Sequence, residues 1–341
     1  MLLGIGIAIS AGYQVHAQGG DSEWRHELEK WRSNHAAGLT APDGWLTVVA
    51  LDWLKAGRNT VGTTEQDDIR LPGKDHLHYV VFELEKDDIW LRAPEGGIPS
   101  SVRVDGHQAQ EQAMILEGAH PTTVSVGTFS FFIIQRGDQF AVRVKDTNAE
   151  ARLHFSGLNW YPPDPGYKIE AAWIPFPELK KVNIQNAVGI TTQGYVPGIA
   201  RFQLHGQEVE LEPFVSDANA KSMMFVLRDA TSGKTTYPAS RFLHVALPDH
   251  GLNAPGRIIL DFNRLENPPC AFTAFATCPL PPRNESPANC AGSGRRALWA
   301  LNVNRAEAYI ALRSSSELSR SKSISLSCSR EWSAIFSTDL F

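Results

Sequence analysis

From Trp45 onward the chain keeps a rhythm that limits its fold more than any other feature. Short runs rich in valine, isoleucine, phenylalanine and tryptophan recur, and glycine, aspartate or asparagine breaks them about every eight to twelve residues. "WLTVVALDWL", "HYVVFEL", "DIWLRA", "SVRVDG", "TTVSVG", "FSFFIIQRGDQFAVRVKD" and "ARLHF" form one such series. Runs this short leave little room for long helices and point to a β-sandwich or barrel. The strongest hairpin signal is "FFIIQRGDQFAVRV", two strong runs around Arg136-Gly137-Asp138. The Arg-Gly-Asp tripeptide there reads as turn chemistry rather than as an adhesion motif.

Leu158 to Lys168, "LNWYPPDPGYK", interrupts the rhythm with three prolines and a glycine and marks a domain boundary. This gives a first β domain over 40–157 and a second over 168–285. The second contains "KIEAAWIPF", "KKVNIQN", "SMMFVLRD", "RFLHVALP" and "RIILDF", and a hairpin around His205-Gly206 in "FQLHGQEVEL". Upstream, residues 21–39 read as one helix. Asp21 and Ser22 are its expected caps, Gly38 its stop, and Trp24, Leu28 and Trp31 its core-facing stripe at i, i+4 and i+7.

Composition narrows the function classes. Of 341 residues, 43% are hydrophobic, enough to bury a core. The net charge of −5 comes without a basic stripe, which argues against nucleic acid as a partner. The N-terminus joins an apolar run, Leu2 to Ala11, to Val15-His16-Ala17, an A-x-A-like cleavage site. The expectation is a signal peptide over 1–17 and an exported protein, periplasmic or extracellular, that begins at Gln18. The run is too short to span a bilayer, and no other segment is long and apolar enough.

Cys270, Cys278, Cys290 and Cys328 show no C-x-x-C spacing. In an exported protein Cys270 and Cys278 are the natural disulfide, with two free thiols as the alternative. His76 and His78 lack a third ligand, so no metal site is expected. No G-x-G-x-x-G, P-loop, H-E-x-x-H or G-x-S-x-G occurs, and no cofactor is expected. From Ser286 the composition shifts, and the serine-rich 293–341 reads as disordered.

The densest chemistry lies in "LDFNRLENPPCAFTAFATCPLPP", Leu260 to Pro282. Asp261 follows the strand "RIIL", so alternation turns Phe262 inward and Asn263 outward. Arg264 offers a fork of donors, and Asn267 precedes Pro268-Pro269, which preset an extended loop. Tyr237 and Arg241, from "TYPASRFL", supply a second polar segment. The candidate ligand-binding set is therefore Asp261, Asn263, Arg264, Asn267, Tyr237 and Arg241, meeting in one cleft. In a functional reading Asp261 is a base or anchor, and Arg264 and Arg241 hold an anionic group. In a structural reading the charges pair with one another and the asparagines cap a proline-rich plug. Cys270 is a possible nucleophile that a disulfide would silence. His244 is the nearest candidate base and reads as a buried strand residue.

"GWLTVVALDWLKAGRNTVG", "IRLPG", "RGDQFAVRVKD", "RDATSGKTTYPASRFLHV" and "LDFNRLENPPCAFTAFATCPLPPRN" resemble the bacterial family of the domain of unknown function 1684, over about Trp24 to Asn284. That family carries no established activity, so the resemblance implies a grouping and not a mechanism. After Asn284 the chain departs from the family's ending, as a frameshift would make it do. "LKAGRNTVGTTEQDDIRLPG" also resembles the opening of a forkhead-associated sandwich, whose Arg and S-x-x-H element hold phosphothreonine. Arg58 matches the Arg and His78 the His, but Asp75 stands where the Ser belongs and would repel phosphate. The resemblance thus implies the sandwich shape and not the ligand.

The expected fold is all-β: an N-terminal helix, a forkhead-associated-like sandwich, and a second β domain, barrel or sandwich. The expected function is binding of a small polar or anionic ligand at a cleft in the second domain. The alternative is a hydrolase-like enzyme using Asp261 and Arg264.

Overall fold

The computed structural model describes residues 11–116 and 121–281, with side chains from residue 21 onward. Residues 1–10 of the expected signal peptide, the 293–341 tail, Cys290 and Cys328 lie outside the described residues.

Helix α1 (Ala11–Thr40) starts ten residues before the expected caps, so Asp21 and Ser22 lie inside it. Helix propagation adds one hydrogen bond per residue fixed, and α1 runs through Gly19 and Gly20 without a break. Trp24 and Leu28 are buried as the stripe required, and Trp31 is partly covered.

The first β region supplies β1 (Val48–Trp53), β2 (Gly57–Gly62), β3 (Ile69–Arg70), β4 (His78–Glu85), β5 (Asp88–Arg92), β6 (Arg103–Val104), β7 (His107–Gln108), β8 (Gln112–Ala113), β9 (Val124–Val126), β10 (Phe129–Arg136) and β11 (Gln139–Asp146). They form two sheets, ordered β1-β11-β10-β9-β6-β7 and β3-β2-β4-β5-β8. Inward-facing Val61, Val80, Phe82 and Leu91 of one sheet meet Val124, Phe131, Val142 and Val144 of the other in a single core. Phe82 and Phe131 join the sheets edge to face, ring centres 6.1 Å apart. This is a sandwich. The β10–β11 hairpin pairs Arg136 with Gln139, so Gly137-Asp138 is its two-residue turn, with Gly137 at φ 61°.

"ARLHF" is not a strand. Glu150–Leu153 make a short helix, α2, because Asp146–Asn148 turn the chain out of β11 and end the pairing there.

The second region supplies β12 (Lys168–Gln185), β13 (Thr191–Leu204), β14 (Gln207–Leu211), β15 (Ser222–Leu227), β16 (Arg241–Ala246) and β17 (Gly256–Asp261). A four-stranded sheet, β14-β13-β12-β17, faces the β15-β16 pair across a core that includes Trp173, Phe202, Phe225 and Phe262. "KIEAAWIPF" and "KKVNIQN" are one strand, β12, with a register shift between Pro175 and Lys180. A proline has no N–H for the ladder, so a shift there is expected. In the β13–β14 turn His205 (φ 51°) and Gly206 (φ 75°) are both left-handed, the geometry a two-residue turn demands.

Candidate functional site

The chain leaves β17 through a 3-10 turn, Phe262–Arg264, which Asp261 caps. Its Oδ1 accepts from the Asn263 backbone N–H at 3.1 Å and from Asn263 Nδ2 at 2.9 Å. Its Oδ2 accepts from Trp24 Nε1 of α1 at 2.8 Å and faces Arg264 Nε at 3.5 Å. Both carboxylate oxygens are thus engaged. Asn263 does not point outward as strand alternation predicted. The 3-10 turn carries it back onto Asp164, whose backbone N–H donates to Asn263 Oδ1 and whose carbonyl accepts from Nδ2, each at 2.9 Å. Arg264 lies over the Trp31 ring, 5.9 Å from its centre.

Arg241 belongs to a different network. It forms a buried ion pair with Asp229, which also accepts from the Thr231 N–H and hydroxyl. The expected single cleft of Asp261, Asn263, Arg264, Asn267, Tyr237 and Arg241 is therefore divided. The charges have paired locally, as burial requires.

One residue further along, the chemistry opens. The backbone of Glu266 bridges to Phe242 of β16 by two hydrogen bonds of 2.9 Å, which fixes the side chain's direction. Its Oε2 lies 3.1 Å from His35 Nδ1 of α1, and its Oε1 lies 3.4 Å from His244 Nε2 of β16. Burial pushes this carboxyl up, but the hydrogen bonds from His244 and His35 outweigh it and hold the group at about 2. His244 is not the buried strand residue expected. It takes an outward position in β16, its side chain 55% exposed.

Glu266 and Asn267 form one wall of a cavity of about 250 Å³. His35 and Leu39 of α1 form another, and Trp45 and Phe272 supply aromatic surface. Trp45 is held close to the helix end by Gly44, where a methyl group would collide with the Gly38 and Leu39 carbonyls. His35 is itself fixed by stacking on Trp31, with ring centres 5.5 Å apart. Of the sequence-derived candidates only Asn267 lines this cavity. Glu266 and His35 were missed, although each had a signal. Glu266 sits inside the dense stretch, and His35 continues the Trp24, Leu28, Trp31 stripe at i+11.

The dense stretch also joins the two β regions. Thr273 Oγ1 donates to the Val48 carbonyl at 3.0 Å, and Arg136 Nε donates to Thr277 Oγ1 at 2.7 Å. Cys270 and Cys278, expected as a disulfide, are two unbonded thiols in the structure. Beside β4, His78 Nδ1 lies 2.7 Å from Asp67, and Asp75 accepts from Thr63 and Tyr79, each at 2.6 Å. Among the described residues no cluster of His, Cys, Asp and Glu is arranged to hold a metal, and no helix is long and apolar enough to cross a membrane.

The profile of a protein family of unknown function, DUF1684, matches residues 153–288. Over these residues the chain is similar to that family. The DUF1684 segment contains β12 to β17, Glu266 and the whole dense stretch. Among solved structures, the chain is similar to an uncharacterized protein of Haloarcula marismortui determined by NMR. Identity is 29% over 39% of this chain and 71% of that one, with a TM-score of 0.33. No curated protein matches the chain.

Proposed function

We propose that this protein binds a small polar ligand in the cavity between α1 and the 266–272 turn, and that it does so as an exported protein. The observation that carries the binding proposal is the Glu266 carboxylate, ionised and held between His35 and His244 at the wall of a cavity that Leu39, Trp45 and Phe272 also line. A charge kept out of bulk water is useful where it meets a complementary group. Among the described lining residues there is no lysine or arginine, so of the polar and anionic ligands expected, the polar class is supported. Asn267 adds an amide, and the two aromatic rings favour a ligand with an ammonium or hydroxyl group on a compact frame. The reading as an exported protein rests on the leader-like sequence of residues 1–17. Hydrolysis at Asp261 and Arg264 gains no support, because the Asp261 oxygens already serve Trp24 and Asn263.

A thermal-shift screen of small amines and polyols against small carboxylates and phosphates tests the binding proposal. Amines or polyols should raise the melting temperature of the wild type and leave Glu266→Gln unchanged, since a ligand stabilises only the state that binds it. Equal stabilisation of both proteins, or stabilisation by anions alone, would overturn it.

A further inference from the structure

The dense stretch closes on itself at its two cysteines. The Cys270 N–H donates to Cys278 Sγ at 3.2 Å, and the Cys278 N–H donates to Cys270 Sγ at 3.3 Å. These reciprocal bonds tie together two cysteines eight positions apart in the chain. Cys278 is buried, whereas Cys270 is partly buried. Arg143 of β11 acts electrostatically on both thiols. It is 5% exposed, and its Nε and Nη2 have no hydrogen-bond partner. The Trp45 ring covers it on one side at 5.0 Å. Among the described residues no carboxylate pairs with it. A buried guanidinium without an anion is costly, and a thiolate in the loop above is an anion within its reach.

The two thiols are not equivalent. The Cys278 S–H bond to the Cys270 sulfur, and then the Cys278 N–H and Arg143, hold Cys270 below the ordinary thiol range despite its burial. The same bond and burial push Cys278 up. Arg136, the other cation near the loop, is occupied by Thr277 and by the Gln135 carbonyl.

We infer that Cys270 and Cys278 form a thiol-modification site in which Cys270, backed by Arg143, attacks a small-molecule disulfide and Cys278 resolves the product. The Cys270 thiolate forms a bond to one sulfur of the reagent, R–S–S–R, and expels the other as a thiolate. Cys278 then loses its proton and attacks the Cys270 sulfur. A bond forms between the two protein sulfurs, and a second R–S⁻ leaves. Two protein thiols are oxidised and one reagent disulfide is reduced to two thiols.

The test uses the reduced full-length chain and site-resolved mass spectrometry. Under limiting iodoacetamide, Cys270 should be alkylated before Cys278, and the midpoint of its pH–rate profile should lie below that of an ordinary thiol, because the thiolate is the nucleophile. With oxidised glutathione, the wild type should end with Cys270 bonded to Cys278. Cys278→Ser should stop with glutathione on Cys270, and Cys270→Ser should carry none on Cys278. Arg143→Met should slow Cys270 alkylation at neutral pH about tenfold, with Arg143→Lys restoring much of the rate. If Arg143→Met fails to fold, the Cys278→Ser trap decides alone. Glutathione on Cys278 in preference to Cys270, or equal alkylation rates at the two thiols, would overturn the inference.

Discussion

Glu266 ties function to stability at a single residue. Its carboxyl is held at about 2 in the folded protein against an ordinary 4.5. A lowered folded-state value stabilises the fold above about pH 4.5, and that contribution disappears as pH falls toward about 2. The shift is worth on the order of 3 kcal/mol. Unfolding free energies measured by denaturant between pH 6 and pH 2 should therefore fall less steeply for Glu266→Gln than for the wild type. Equal slopes would show that His35 and His244 do not hold the ionised form. Arg241→Ala should cost about 3–5 kcal/mol, because Asp229 is left as a buried charge without its cation. The sequence pointed to Arg241, Asp261 and Asn263 as polar groups that had to find partners. It could not say which partners, because Trp24, Asp164 and Asp229 lie far from them in the chain or in another turn. Glu266 escaped notice because a lone glutamate gains meaning only when two histidines from separate elements converge on it.

Among the elements, α1 decides whether the cavity exists, since it supplies both His35 and Leu39. Leu28 is fully buried under it. Leu28→Ala should cost about 2–5 kcal/mol in equilibrium unfolding and should weaken ligand binding with no change to any lining residue. Binding unaffected by that loss would place the ligand elsewhere. Gly44→Ala should likewise disturb the cavity by pushing Trp45 off the helix end, which quenching of tryptophan fluorescence can follow. Most elements were legible because their signals are local. Alternation marked the strands, Gly137 and His205-Gly206 marked two hairpins, and the tryptophan stripe marked the helix. The departures arose where tertiary pairing overrides local pattern. Examples are the joining of two runs into β12 across Pro175 and the folding of Glu150–Leu153 as a helix.

Across the whole molecule, the dense stretch answers to both β regions at once. It caps β17, pairs with β16, walls the cavity and bonds to Val48 and Thr277's partner Arg136. The two regions should consequently unfold in one calorimetric transition, which Thr273→Val together with Arg136→Ala should split or broaden. Two separate transitions in the wild type would contradict the coupling. The central claim, that the Glu266 cavity receives a small polar ligand, is tested most directly by crystals soaked in a mixture of small amines and polyols. A compound should be bound between Trp45 and Phe272 with a donor within hydrogen-bond distance of Glu266. Compounds bound only at other surfaces, with the cavity holding solvent alone, would contradict it.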